Sequence, residues 1–178
     1  TFEICKILRS QGKGGGARAY LMMGELSNQA AVQRTKDVDD ILGIDMCNFI
    51  EIIDRQTANW SREQATSLMT NWLSSGEEFD AVIANNDEMA IGAIQAMKAA
   101  GLDMDVIVVG GVDATQDALS AMQAGDLDVT VFQNAAGQGS GALDAALALA
   151  RGEDVDQKVY IPFELVTPAN IDDYLSAN

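Results

Sequence analysis

The stretch 81–101, AVIANNDEMAIGAIQAMKAAG, constrains the fold more than any other part of the chain. Ala81, Val82, Ile83 and Ala84 form the short apolar run that a strand shows when both of its faces are buried. Four polar residues follow, Asn85, Asn86, Asp87 and Glu88, and Asp87 is a good helix N-cap. Residues 89–100 are rich in Ala, Met and Ile, contain no Pro, and stop at Gly101, where a left-handed residue is wanted. A doubly buried strand that turns directly into a helix belongs to a parallel sheet covered by helices on both faces. In such sheets ligands sit beyond the carboxyl ends of the strands.

The same unit recurs along the chain. Strands are expected at 18–23, 48–54, 81–84, 106–109 and 128–132. Helices are expected at 2–11, at 27–42 capped by Ser27, at 61–75 opened by the capping box Ser61–Gln64, at 89–100, and at 115–124 capped by Thr115. This predicts an α/β fold, a doubly wound parallel sheet of five strands flanked by helices, with every strand end on one edge. Beyond residue 133 a further helix is expected at 139–151, then strand-like segments at 158–163 and 164–167 separated by a bend at Pro162, then a short helix capped by Asn170.

Composition narrows the chemistry. With 11 Lys and Arg against 27 Asp and Glu, the chain lacks the clustered cations that a nucleic-acid surface needs, so no nucleic acid is expected as a partner. There is no histidine, which removes the commonest general base and the commonest zinc ligand. No cofactor and no metal are expected. The motifs of several enzyme classes are absent: 137–141 lacks the spacing of a dinucleotide-binding loop, GQGSG is not a nucleophile elbow, and no phosphate-binding GxxxxGK[ST] occurs. An enzyme is not expected. Cys5 and Cys47 lie far apart with no CxxC; two separate buried thiols are the favoured reading, and a disulfide is the alternative.

The strand ends carry the candidate site. After the first expected strand come Glu25 and Ser27, with Arg34 one to two turns into the next helix. After the second comes Trp60, after the third Asn86 and Asp87, after the fourth Asp113, and after the fifth Gln133. Each has a plain structural reading as well: a solvated arginine, a hydrophobic staple before Ser61, a turn or cap residue, a loop carboxylate, a strand-end amide. Together they suit a polyhydroxylated ligand. A carboxylate accepts from vicinal hydroxyls, amides donate and accept, a guanidinium donates through a planar fork, and a tryptophan lies against the C–H face of a ring. Glu25, Asp54 and Arg55 are ambiguous; Trp72, inside an amphipathic helix, is core.

IANNDEMAIGAIQAMKAAG at 83–101, VIVVGGVDAT at 106–115, GDLDVTVFQNAAGQG at 125–139, GELSNQAAVQRTKDV at 24–38 and FELVTPANIDDY at 163–174 make the chain similar to the periplasmic sugar-binding proteins of ribose-binding type, the solute-binding components of bacterial ABC importers. The resemblance covers nearly the whole chain. It implies a sugar or cyclitol ligand held by Arg34, Trp60, Asn86, Asp113 and Gln133, a membrane permease as partner, and a periplasmic location. It departs from the family pattern at Gly110-Gly111-Val112-Asp113, where one glycine usually precedes the last two residues.

The family's members have two lobes joined by a hinge. On that template 1–133 is the second, sugar-binding lobe, 134–162 a crossover segment that completes the other lobe, and 163–178 the hinge return and closing helix. The chain then reads as a truncated form, and the apolar surface of 139–151 leads us to expect a homodimer. The effector-binding core of a LacI-type regulator shares the fold and is the alternative.

Overall fold

The computed structural model describes residues 1–175. The elements run α1 (Phe2–Ser10), β1 (Ala17–Met23), α2 (Gln29–Leu42), β2 (Ile50–Thr57), α3 (Arg62–Ser74), β3 (Ala81–Ala84), α4 (Asp87–Ala99), β4 (Val108–Gly110), α5 (Gln116–Gln123), β5 (Thr130–Gln133), α6 (Ala135–Ala150) and β6 (Phe163–Val166). Single turns of 3-10 helix occur at Met104–Val106 and Ile171–Asp173.

The first four strands form one parallel sheet in the order β2-β1-β3-β4. The expected fifth strand lies beside β4 but joins it through isolated parallel bridges, Gly110 with Val129 and Asp113 with Phe132, and not through a continuous ladder. The cause is local. β4 is three residues long; beyond it the Gly111 and Asp113 N–H groups still donate to the Val129 and Val131 carbonyls, both at 2.9 Å, in one register, and the pairing ends where Asp113 and Ala114 take positive φ angles of 122° and 51°. On its other side β5 pairs antiparallel with β6.

Side-chain alternation along the strands divides the core in two. Tyr20, Met22, Val82, Ala84 and Val109 point to one face, where Met69 and Trp72 of α3, Met89 and Met97 of α4, and Leu119 of α5 cover them. Ala19, Leu21, Ala81, Ile83 and Val108 point to the other, under Ile4, Cys5 and Leu8 of α1 and Val38 of α2. All four residues of β3 are buried, as its apolar run predicts. Trp72 is core, stacked on Tyr20 with ring centroids 4.3 Å apart. Helices α3 and α4 approach closely at Gly92, where a Cβ would run into the Arg62 carbonyl.

Several expectations need correction. Asn28, not Ser27, caps α2, accepting from the Ala30 N–H. Asn86, not Asp87, caps α4, accepting from the Met89 N–H. β2 runs three residues past its expected end, because it stays paired with β1 as far as Met23–Thr57. Residues 104–106 form a 3-10 turn, so β4 begins later than expected. Of the two strand-like segments after α6, the first is irregular and β6 alone pairs. The Asn170 side chain accepts from the Thr167 N–H and makes no cap bond to the turn after it.

Cys5 and Cys47 form a disulfide, with their Cα atoms 5.5 Å apart. The reading of two separate thiols fails because α1 lies against the turn that enters β2. Arg9 of α1 donates to the Met46 carbonyl at 2.9 Å and stacks over the Phe49 ring there. Closing a loop across 42 residues of separation stabilises the fold by about 4 kcal/mol in the chain-entropy model. Replacing both cysteines by alanine should lower the unfolding free energy by an amount of that order, read from denaturant titrations. An unchanged midpoint would show that the link adds nothing.

Candidate ligand-binding site

The strand order reverses between β1 and β3: from β1 the chain steps outward to β2, then returns to the other side of β1. At such a switch point the connections leave the sheet on opposite faces, and a crevice opens beyond the strand ends. Gly24 follows β1 and Asn85 follows β3 at this point. The buried Asn85 ties the crevice together. Its side-chain oxygen accepts from the Gly24 N–H and the Thr35 hydroxyl, both at 3.1 Å, and its carbonyl accepts from Arg34 Nη1 at 2.6 Å.

Four of the five expected site residues meet here. Arg34 Nη2 lies 3.4 Å from Asp113 Oδ1, and Gln133 Nε2 donates to the same oxygen at 3.1 Å. The Arg34 guanidinium stands 5.5 Å from the centroid of the Trp60 ring, within cation–π range. Trp60 packs on Gly24, where a Cβ would run into the indole. Trp60 also has a positive φ of 65°, next to Asn59 at 50°. Non-glycine residues rarely hold such angles unless the surroundings fix them, and they concentrate at functional sites. Asn86 stands apart from the other four. Its carboxamide oxygen is used in capping α4, and its Nδ2 approaches the Trp60 carbonyl at 3.5 Å. It touches the cluster through the backbone of Trp60.

The electrostatics follow from burial. Desolvation pushes the Asp113 carboxyl above its ordinary value, and the Arg34 charge with the hydrogen bonds from Arg34 and Gln133 pulls against that rise. Asp87, fully buried behind the cluster, is pushed up to about 6, again mainly by burial; bonds from Thr130 and Thr115 oppose the shift and the charge of Asp113 adds to it. Arg34 also lines an adjoining cavity of about 220 Å³ with Ile4, Val38, Asn85 and Phe163.

This arrangement gathers converging donors and acceptors and one flat apolar face, with no nucleophile held against a base. Among the described residues no group of three His, Cys, Asp or Glu is placed to hold a metal. The ambiguous residues have structural partners: Asp54 accepts from the Trp72 indole N–H at 2.6 Å, Arg55 pairs with Asp39, and Glu25 accepts from Ser27. Sequence reasoning gave no role to Asn85, Gly24 or Thr130. The doubled asparagine before Asp87 was the available signal for Asn85; nothing local marks the other two.

A family model described as a periplasmic binding protein domain matches residues 4–154, and the chain belongs to that family. The chain is 64% identical, over all 178 of its residues, to a protein of Rhizobium meliloti named for rhizopine binding. Among solved structures it superposes with a TM-score of 0.87 and 42% identity on an ABC transporter solute-binding protein from Bacillus halodurans with bound myo-inositol, over 98% of this chain. A Caulobacter myo-inositol binding protein bound to myo-inositol gives 0.85 and 30%, over 96% of this chain. The chain spans 56% of the Rhizobium protein's length and 59% and 57% of the two structures.

The raised Asp87 carboxyl sets a pH dependence. A group whose pKa is higher folded than its ordinary 3.8 stabilises the fold at low pH, and that stability is lost as pH rises through about 6. Between pH 4 and 7 the wild-type chain should lose up to roughly 3 kcal/mol more than Asp87→Asn does. Parallel curves for the two proteins, from denaturant titrations across that range, would remove Asp87 as the source.

Proposed function

We propose that this chain is the sugar-binding lobe of the solute-binding component of a bacterial ABC importer, and that its ligand is a monosaccharide or cyclitol. The observation that carries the reading is the meeting of Arg34, Asp113 and Gln133 beside the Trp60 ring at the sheet's switch point. Asp113 accepts from ring hydroxyls, Arg34 and Gln133 donate, and Trp60 takes the C–H face. Asn86, at the head of α4 and apart from the other four, is the fifth proposed contact through its Nδ2, whose approach to the Trp60 carbonyl is a long 3.5 Å. A six-membered ring suits a stacking tryptophan better than a furanose does, and myo-inositol in two structural neighbours supports that choice.

The protein binds its ligand and returns it unchanged to a membrane permease. Residues 1–133 form the lobe, 134–162 the crossover, and 163–178 the return; 176–178 lie outside the described residues. We place the protein in the periplasm. The Cys5–Cys47 disulfide supports this, since such bonds persist in oxidising compartments, and it counts against an intracellular regulator.

Calorimetric titration with myo-inositol tests the site. Trp60→Ala, Asp113→Ala and Gly24→Ala should each weaken binding at least about tenfold, a loss of about 1.4 kcal/mol or more, the last by displacing the indole. Glu153→Ala, away from the strand ends, should leave affinity unchanged. Equal affinities throughout would refute the site, and recovery of an altered ligand would refute the non-catalytic role.

The partner surface is a second proposal, carried by a different observation. Leu143, Leu147 and Leu149 of α6 are exposed, as are Tyr160 in the segment after it and Phe163 and Leu165 of β6. Leaving such side chains in water forgoes roughly 1.5–3 kcal/mol each. Where the other lobe does not cover this part of the crossover, a second copy of this chain would. Light scattering should give a dimer mass that falls to the monomer's in Leu143→Glu/Leu147→Glu; a monomer before substitution ends the proposal.

A further inference from the structure

Behind the ligand edge lies a polar group that the binding chemistry leaves unused. Asp87 is 0% exposed, and it sits at the first turn of α4 without capping it. Its Oδ1 accepts from the Thr130 hydroxyl at 2.7 Å and its Oδ2 from the Thr115 N–H at 2.9 Å. The same Thr130 oxygen accepts from the Ala114 N–H at 3.2 Å. The Asp87 N–H in turn donates to the Val112 carbonyl at 2.8 Å. Residues 112–115 are therefore gripped at three backbone groups, the Val112 carbonyl and the Ala114 and Thr115 amides, by one side chain, its hydroxyl relay and its own amide. The segment so held contains Asp113 and Ala114, whose positive φ angles are uncommon for non-glycine residues. Gly111 belongs to the same device, since a Cβ there would run into Asp87 Oδ1. That accounts for the second glycine of the GGVD segment.

We infer that Asp87 and Thr130 are positioning residues: they hold the strained 113–114 turn so that the Asp113 carboxylate faces Arg34 and Gln133. The inference rests on the ligand site proposed above. Without the clamp, the Ala114 and Thr115 amides lose buried acceptors, the turn relaxes toward ordinary angles, and Asp113 Oδ1 leaves the meeting point of the two donors. A carboxylate suits the clamp because it accepts on both oxygens; an asparagine in its place must turn an NH₂ group toward one of the two donors.

Two measurements on the full chain test this, and the first needs no ligand. Amide hydrogen exchange is followed by NMR in wild type, Asp87→Asn and Thr130→Val. The Ala114 and Thr115 amides should exchange at least about tenfold faster in both variants, while those of Leu21 and Ile94 in the core stay within about threefold. Unchanged rates at 114 and 115, or a uniform rise across the fold, would overturn the inference; the uniform rise would mark a merely structural role. The second is a double-mutant cycle on myo-inositol affinity. Asp87→Asn should weaken binding at least about tenfold in the wild-type background and by less than about threefold in an Asp113→Ala background. Equal losses in both backgrounds would overturn the link to Asp113. A wild-type chain that binds no myo-inositol would count against the functional reading, and the exchange rates would still decide the clamp.

Discussion

A strand buried on both faces can offer chemistry only at its ends. Every residue of β3 is covered, by α4 and its neighbours on one side and by α1 on the other. Its backbone bonds go to β1 and β4. Polar side chains placed along it would need buried partners, at a cost of about 1–3 kcal/mol for each one left unmet. The chain's polar chemistry therefore collects where the strands run out, and the sheet order decides which ends come together. Because the order reverses between β1 and β3, Gly24 and Arg34 of the β1–α2 unit share one crevice with Asn85, which comes from the distant β3–α4 connection.

Placing polar groups at an edge does not aim them, and here the aim comes from backbone held in unusual conformations. Trp60 and Asp113 both have positive φ angles, and both belong to the cluster. Such conformations cost of order 1–3 kcal/mol each and persist where neighbours over-determine them. Around Trp60 the neighbours are Gly24, which leaves room for the indole, and the capped start of α3 at Ser61. Arg62, just inside that helix, pairs with Glu88 at 2.8 Å and Asp117 at 2.6 Å, tying the starts of α3, α4 and α5 together beneath the ligand edge. The rigid layer behind the site is thus polar and charged as well as apolar.

The parts of this structure legible in the sequence are those fixed by local pattern. The β3 run and the Ser61 and Thr115 caps follow from periodicity and capping chemistry, and the position of polar residues after apolar runs brings Arg34, Trp60, Asp113 and Gln133, the proposed ligand groups, to one edge. What was not legible depends on contacts between distant segments. Nothing local shows that Cys5 and Cys47 are neighbours, because α1 must first pack beside the entry to β2. Asp87 and Asn86 are both good caps by residue type; which one caps is settled by Thr130, 43 residues away, whose hydroxyl draws the carboxylate inward. The fifth strand's pairing breaks off at Asp113 and Ala114, on the neighbouring segment and not within DVTVF itself, so that run alone does not show it.

In the proposed mode a ring laid on Trp60 and bonded to Asp113 meets the lobe on one side. Affinity in such a half-site is limited less by the count of hydrogen bonds than by water competing for them, because an exposed bond nets about 1 kcal/mol where a dry one is stronger. The apolar face of α6 has the corresponding problem without a ligand to share it, since none of its residues is buried. Both surfaces gain from being closed, and they differ in what closure does. Covering α6 removes apolar area from water and adds stability in proportion. Covering the crevice would expel water from preset donors and acceptors, which would tighten the hold proposed above on a hydroxylated ring.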